Sequence, residues 1–287
     1  MDKVLVVGGG GMLGHQLFLC LEEDHNINVK ATLHKGLSDP KYNGIFKFYN
    51  AFDNVDINDN KLEQIFKNFC PNVVVNCVGI IKQREEGSDP IINIKVNGLF
   101  PHQLSLLSQK YKFRLIHLST DCVFSGKKGN YLESDISDAK DIYGKSKYIG
   151  EIGEPNLTIR TSIIGPELCR KKGLLEWFLS QQEKTVKGFK NAIFSGFTTY
   201  ELSRIIKHII QNEENLKGLI HISSKLISKY DLLSQIKEAM NLNIEIVPDQ
   251  DFYCDRSLNC DLFKKQSNYN IPSWNEMISE LANKLSN

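Results

Sequence analysis

A short apolar strand, KVLVVG at residues 3–8, runs straight into glycines, and MLGHQLFLCLEE follows with Leu13, Leu17 and Leu21 on one helical stripe. Nothing else in the chain constrains its fold as strongly. A strand, a glycine turn and an amphipathic helix open a crossover unit, which brings the chain back parallel to its first strand. The first half keeps that rhythm. NVKATLH (28–34) reads as strand two, and DNKLEQIFKNF (59–69) as a helix opened by an Asp cap, with Leu62, Ile65 and Phe66 on one face. NVVVNCVG (72–79) is almost continuously apolar, as a strand covered on both faces must be. NIKVNGLFPHQLSLLSQ reads as a further helix and RLIHLS as a further strand. The expected fold class is α/β: a doubly wound parallel sheet of the Rossmann kind, with a smaller C-terminal α/β substrate lobe.

After about Arg160 the alternation loosens. LLEWFLSQ and TYELSRIIKHII read as helices, LIHISS, KYDLLSQIKEAM and IEIVPD as strand, helix and strand, and SWNEMISELANKL as a last helix. In that helix Ser273 and Glu276 have capping-box spacing. No linker or repeat separates the parts, so residues 1–165 are expected to form the nucleotide-binding domain and 166–287 a lobe interwoven with it. The 287 residues suit that division. A net charge of +1 gives no global field for nucleic acid or an acidic membrane. No apolar run approaches the ~18 residues of a membrane span, and the N-terminal one is too short for a signal peptide. Seven cysteines without a C-x-x-C pair exclude a disulfide framework and a structural zinc site. The expectation is a cytoplasmic protein without a metal, with a homodimer left open.

Gly8, Gly11 and Gly14 lie three apart around Met12 and Leu13, and Gly9 lets the G-x-G-x-x-G spacing match as well. Glycines admit close backbone approach to a pyrophosphate, and the helix N-terminus behind them offers free N–H groups. Strand two ends in His34 and Lys35 rather than the acid that would bind a ribose 2′-hydroxyl. A cationic end suits a 2′-phosphate, so NADP is the expected cofactor, although a plain solvated turn explains the same residues. Asp56 and Ile57 are candidates for the adenine end, and Cys77 and Val78, at the end of the next apolar strand, for the cleft floor.

The chemistry concentrates later. STDCVFSG (119–126) puts polar groups and a thiol at a strand end, and YGKSK sets Tyr143 and Lys147 four apart on one helix face. An ammonium beside a phenol of reference pKa ~10 favours its ionisation and makes it a usable acid–base group. Alone, Y-x-x-x-K is as readily a surface helix pair.

Together with the glycine turn, that ordered set resembles the short-chain dehydrogenase/reductase superfamily. The resemblance implies that Thr120 hydrogen-bonds the substrate oxygen beside Tyr143 and that Asn97, in VNGLFP, completes the group. STDCVFSGKKGNYLESDISDAKDIYGKSKYIGE looks like the S-T-D-x-V-F-x-G…Y-x-E-x-D…Y-G-x-S-K-x-x-G-E run of dTDP-4-dehydrorhamnose reductases. IRTSIIG, SGFTTYELSRII and GLIHISS…SKYDLL match later blocks of the same family, so the likeness covers almost the whole chain. SDAKD departs from it where that family usually has a proline. VNCVGIIKQ, LLEWFLSQ and CDRSL look like the reductases of UDP-2-acetamido-2,6-dideoxy-L-hexuloses, on the route to UDP-N-acetyl-L-rhamnosamine.

What the resemblance implies is an NADPH-dependent reductase of a nucleotide-sugar 4-ketone. The alternatives are dTDP- or UDP-4-dehydrorhamnose as substrate, or a non-catalytic subunit such as the regulatory subunit of methionine adenosyltransferase. Cys122 stands where the family's dehydratases carry glutamate, simple reductases tyrosine, and the epimerase/reductases of GDP-fucose synthesis cysteine. If the chain stays extended, Thr120 and Cys122 face one way and Asp121 the other. Cys122 is then a candidate base for epimerisation at C3, or a small filler under the sugar; Lys171 or Lys172 could supply the second acid. Arg256, in CDRSL, is the first candidate for the diphosphate, and Lys82 and Arg84 the second. Thr198 and Thr199 match the family's Pro-Thr block near the active site. Trp177 and Phe178 suit either base stacking or lobe core.

Overall fold

The structure is a computed structural model that describes residues 1–81, 85–169 and 171–286. Its first half alternates β1 (Asp2–Val7), α1 (Met12–Glu22), β2 (Ile27–Thr32), β3 (Ala51–Phe52), α2 (Lys61–Phe69) and β4 (Val73–Asn76). Then come α3 (Pro90–Asn93), α4 (Phe100–Tyr111), β5 (Arg114–Leu118), α5 (Ile142–Ile149) and β6 (Leu157–Arg160). The second half contains β7 (Ile163–Ile164), α6 (Leu174–Leu179), β8 (Thr185–Phe194), β9 (Phe197–Thr198), α7 (Thr199–Asn212), β10 (Gly218–His221) and β11 (Ile227–Ser228). It ends with α8 (Lys229–Ala239), β12 (Glu245–Asp255), α9 (Asp261–Gln266) and α10 (Trp274–Ser286).

The central sheet has seven strands in the order β10-β6-β5-β4-β1-β2-β3, and every pairing in it is parallel. The α/β class and the doubly wound sheet are therefore as expected. The strand order reverses between β1 and β4, and in such sheets that crevice receives the ligand. Val4, Leu5, Val6, Val74 and Val75 are wholly buried, which explains their continuous apolar run. β10 pairs with β6, so a strand from beyond residue 165 completes the large sheet. The smaller lobe contributes a three-stranded sheet, β11-β8-β12.

Local differences from the sequence reading have local causes. Helix α2 begins at Lys61, with Asn60 rather than Asp59 at its cap position. Asp56 has already turned the chain by accepting the Asn58 N–H at 2.8 Å. The long helix expected from residue 93 is interrupted by a π-helical turn over Ile94–Leu99, which carries Asn97. At the C-terminus the capping box is present, with Ser273 N–H donating to Glu276 Oε2 at 2.7 Å. No helix among the described residues is long and apolar enough to cross a membrane.

Candidate active site

At the β1–β4 crevice the glycines are compressed. A Cβ on Gly14 would come within 2.2 Å of the Gly8 carbonyl oxygen, and one on Gly8 within 2.9 Å of Val78 Cγ2. Gly8 also has φ +90°, a conformation that favours glycine. Gly11 is different: its nearest neighbour would be 3.4 Å away, so its outer side is open. It stands at the cap position of α1 without a capping side chain. A compact turn leading to an uncapped helix N-terminus fits a pyrophosphate, held by backbone near Gly11, Met12, Leu13 and Gly14.

His34 and Lys35 are exposed beyond the end of β2. Their nearest acids are Asp56, 3.9 Å from His34 Nδ1, and Asp39, 3.2 Å from Lys35 Nζ. Ile57 packs among the apolar residues under this end. Cys77 follows β4, and burial pushes its thiol up to about 12, which makes it floor rather than nucleophile. Two loops meet over the crevice. Lys41 Nζ donates to the Cys169 carbonyl at 2.7 Å, and a Cβ on Gly173 would touch Met12 Cε at 2.9 Å. Exposed Lys171 and Lys172 lie on the same loop as Gly173, which reaches the start of α1.

The strand end after β5 corrects one inference. The chain does not stay extended: Asp121–Val123 form a 3-10 turn, with the Thr120 hydroxyl accepting the Cys122 N–H at 3.1 Å. The alternation argument that turned Asp121 away thus has no basis, and Thr120 Oγ1 donates to Asp121 Oδ1 at 3.1 Å. Both side chains are buried. Cys122 is nevertheless at the site, because its Sγ is 3.8 Å from Arg256 Nη1 and it acts electrostatically on Tyr143. The Tyr143 helix approaches this turn closely, since a Cβ on Gly144 would lie 2.2 Å from the Cys122 carbonyl oxygen.

Tyr143 and Lys147 come together with Thr120 at this strand end. Thr120 hydrogen-bonds the Tyr143 phenol. Lys147 Nζ donates to the Leu118 carbonyl of β5 at 2.5 Å. The expected lowering of the phenol pKa by Lys147 does not dominate. Burial raises the Tyr143 pKa, Cys122 adds to the rise, and only the Thr120 hydrogen bond opposes them. Burial likewise holds Lys147 down at about 8. Asn97 is wholly buried and works through the scaffold: Oδ1 accepts from Ile80 N–H at 2.9 Å, and Nδ2 donates to Ile80 O at 3.0 Å and Ser146 Oγ at 3.2 Å. It ties the β4 exit loop to the tyrosine helix.

Between the Phe124 turn, the segment before α5 and the end of β12 lies a cavity of about 280 Å³ lined by Phe124, Lys127, Lys140, Asp141, Tyr253 and Arg256. Arg256 is locked there by Nε donating to the Phe124 carbonyl at 2.7 Å. Lys82 and Arg84 lie outside the described residues. Thr198 is wholly buried, and its hydroxyl accepts from Glu201 N–H to cap α7, so it supports the lobe. Phe178 is core, whereas Trp177 is 41% exposed.

Four residues around this site were given no role in the sequence reading. Ser119 Oγ donates to Glu151 at 2.7 Å, and the Glu151 carboxylate pairs with buried Arg160 through two bonds of 2.7 Å, bracing the strand end from behind. Lys229 interacts electrostatically with Asp121 and Cys122. The only signal for it in the sequence was a cation at the start of a helix, where the dipole disfavours one.

Relatives agree with this geometry. Spore coat polysaccharide biosynthesis protein SpsK of Bacillus subtilis (strain 168) is 28% identical over 256 residues, covering 86% of this chain and 82% of that protein. Methionine adenosyltransferase 2 subunit beta of Danio rerio is 24% identical over 255 residues, covering 84% and 74%. The crystal structure of dTDP-4-dehydrorhamnose reductase from Bacillus anthracis in complex with NADP has the same fold, with a TM-score of 0.78 over 99% of both chains at 21% identity. The family described as RmlD substrate binding domain matches residues 2–287, almost the whole length, and the chain belongs to that family.

Proposed function

We propose that the protein is an NADPH-dependent reductase of the 4-keto group of a nucleotide-diphospho-6-deoxyhexulose, and on the likeness of VNCVGIIKQ, LLEWFLSQ and CDRSL we favour UDP-2-acetamido-2,6-dideoxy-L-hexulose, with dTDP- or UDP-4-dehydrorhamnose as the alternative. The observation that carries the reading is the convergence of Thr120, Tyr143 and Lys147 at the β5 end, in the same parallel sheet as the glycine turn of β1 and separated from it by β4. NADPH, when bound, supplies the hydride that reaches C4. Thr120 and Tyr143 hold the ketone oxygen, and Tyr143 gives it a proton. Burial keeps the phenol protonated, and the protonated form is the one a reduction consumes. Lys147 holds the β5 end, one turn of α5 from Tyr143. Arg256, with Lys127 and Lys140 around the same cavity, suits a diphosphate. His34 and Lys35 suit a 2′-phosphate.

Cys122 supports a finer possibility. As a thiolate, favoured by Arg256, Cys122 can take a proton from a carbon next to the ketone to leave an enolate, and a proton returned from water to the opposite face would complete epimerisation at C3. The regulatory-subunit reading has the Danio rerio relative in its favour, but a pure binding module has no use for a buried phenol paired with a lysine.

The test is NADPH oxidation with UDP-2-acetamido-2,6-dideoxy-L-hexulose and with dTDP-4-dehydrorhamnose. Turnover is expected with at least one. Tyr143→Phe should lower kcat by about 10²–10⁴-fold, the usual worth of a positioned acid, with NADPH binding retained. Wild-type protein inert toward both sugars would sink the reductase reading. Cys122→Ser that still exchanges solvent deuterium into the sugar at the wild-type rate would remove the thiol as a base.

A further inference from the structure

Two successive residues at the end of β5 are gripped by side chains from the tyrosine helix and the turn behind it. Lys147 Nζ donates to the Leu118 carbonyl at 2.5 Å, and Glu151, two residues past the end of α5, accepts from the Ser119 hydroxyl at 2.7 Å. The Ser119 N–H already donates to the Ile159 carbonyl at 2.8 Å, which fixes this residue to β6. That bond says nothing about where α5 stands. The Glu151 bond adds the tie to the segment that carries Tyr143. Thr120 is the next residue, and its hydroxyl bonds the Tyr143 phenol.

Glu151 is itself held without play. Arg160 of β6 donates to both carboxylate oxygens, Nε to Oε1 and Nη2 to Oε2, each at 2.7 Å. The two side chains are 2% and 9% exposed. A buried pair of this kind costs about as much to desolvate as its attraction returns, so stability alone gives little reason for it. Two parallel bonds do give a fixed orientation. The guanidinium is fixed in turn. His221 Nε2 lies 3.2 Å from Nη1, and the Phe124 ring centroid lies 5.0 Å from Cζ. Burial, together with the Arg160 charge, holds His221 down at about 4, so its neutral ring accepts from the guanidinium. A carboxylate braced in this way cannot follow Ser119 if the strand end drifts.

We propose that Glu151 is a positioning residue for the reduction, which holds the Thr120 hydroxyl against the Tyr143 phenol by gripping Ser119 and acts on the ketone only through that strand end. The inference rests on the reductase reading above and deepens it.

The experiment compares wild type with Ser119→Ala, Ser119→Thr and the double variant Glu151→Met/Arg160→Met. Ser119→Ala removes the grip and leaves the ion pair whole. It should lower kcat about tenfold or more, as a small misplacement of reacting groups does. The sugar KM should change less, and the NADPH Kd and melting temperature should stay near wild type. Ser119→Thr returns the hydroxyl and should restore kcat. The double variant removes both buried charges together, so neither is left unpaired. Its loss of kcat should not add to that of Ser119→Ala, because both changes break the same bond. Wild-type kcat in Ser119→Ala, or losses that add in full, overturns the proposal. NMR of protein labelled at the tyrosine Cζ reads the same contact without turnover, with the Tyr143 signal assigned by Tyr143→Phe and Thr120→Val marking its position when the hydroxyl is lost. Ser119→Ala should move the signal toward the Thr120→Val position. If wild type reduces neither sugar, the reductase reading fails; a Tyr143 signal unmoved in Ser119→Ala separately overturns the role of Glu151.

Discussion

Tyr143 and Lys147 were legible because their partnership is local. Four residues on a helix bring them to one face whatever the rest of the chain does. Their ionisation was not legible, because burial is a property of everything packed around them. Lys147, held at about 8, loses its charge far below the ordinary lysine range. Below that value the ammonium that holds the Leu118 carbonyl at the strand end is charged, and as pH rises through it that charge is lost. We therefore expect kcat/KM, which reports groups of the free protein, to fall as pH rises past about 8. Stability should move the other way. Between the folded value and the unfolded one the unfolded chain binds more protons, so the burial of Lys147 becomes less unfavourable as pH rises. An activity loss with no parallel loss of fold is the expected pair of observations. A kcat/KM that holds level into the ordinary lysine range, about 10.4, would contradict this account. The same distinction governs Cys122. Its presence at the site was legible from the motif, but the alternation used to aim it was wrong, because the Thr120 hydroxyl turns the backbone at once into a 3-10 turn.

Among the elements, the β1–turn–α1 unit was the clearest in the sequence, and the structure gives its glycines different tasks. Gly14 is where helix and strand touch, with the Gly8 carbonyl 2.2 Å from where a Cβ would stand. A backbone oxygen cannot swing aside, so Gly14→Ala must push α1 off β1. The expected cost is about 1–3 kcal/mol, as for overpacking elsewhere, together with weaker NADPH binding because the helix N-terminus moves. A thermal melt and a fluorescence titration read both; a variant with wild-type melting and NADPH affinity would show that the turn is looser than these distances say. Gly11, whose outer side is open, is not held to glycine by packing against its neighbours. The π-helical turn around Asn97 was invisible in a pattern that read as one unbroken helix. Helical periodicity over so few residues does not register one inserted position. The insertion matters because it carries the buried side chain that ties the β4 exit to α5.

At the scale of the molecule, the division near residue 165 does not separate two independent bodies. β10 covers the outer edge of β6, and α7 packs on α1 with Ile205, Ile206 and Ile209 wholly buried. A fragment of residues 1–165 would expose a sheet edge and an apolar helix face together. It is expected to lack a cooperative thermal transition, and calorimetry that found one would show the first domain to be autonomous. The same interweaving builds the site. Arg256 reaches Cys122 from the smaller lobe, more than a hundred residues along the chain. By itself the sequence determined the parallel sheet, the nucleotide-binding turn and the Thr–Tyr–Lys set, since each depends on periodicity or spacing within a few residues. Only the tertiary structure decided which cations surround the thiol, which threonine is a cap instead of a contact, and how far the titrating groups are shifted. Those outcomes depend on distance and exclusion from water between segments remote in sequence, and no local pattern encodes either.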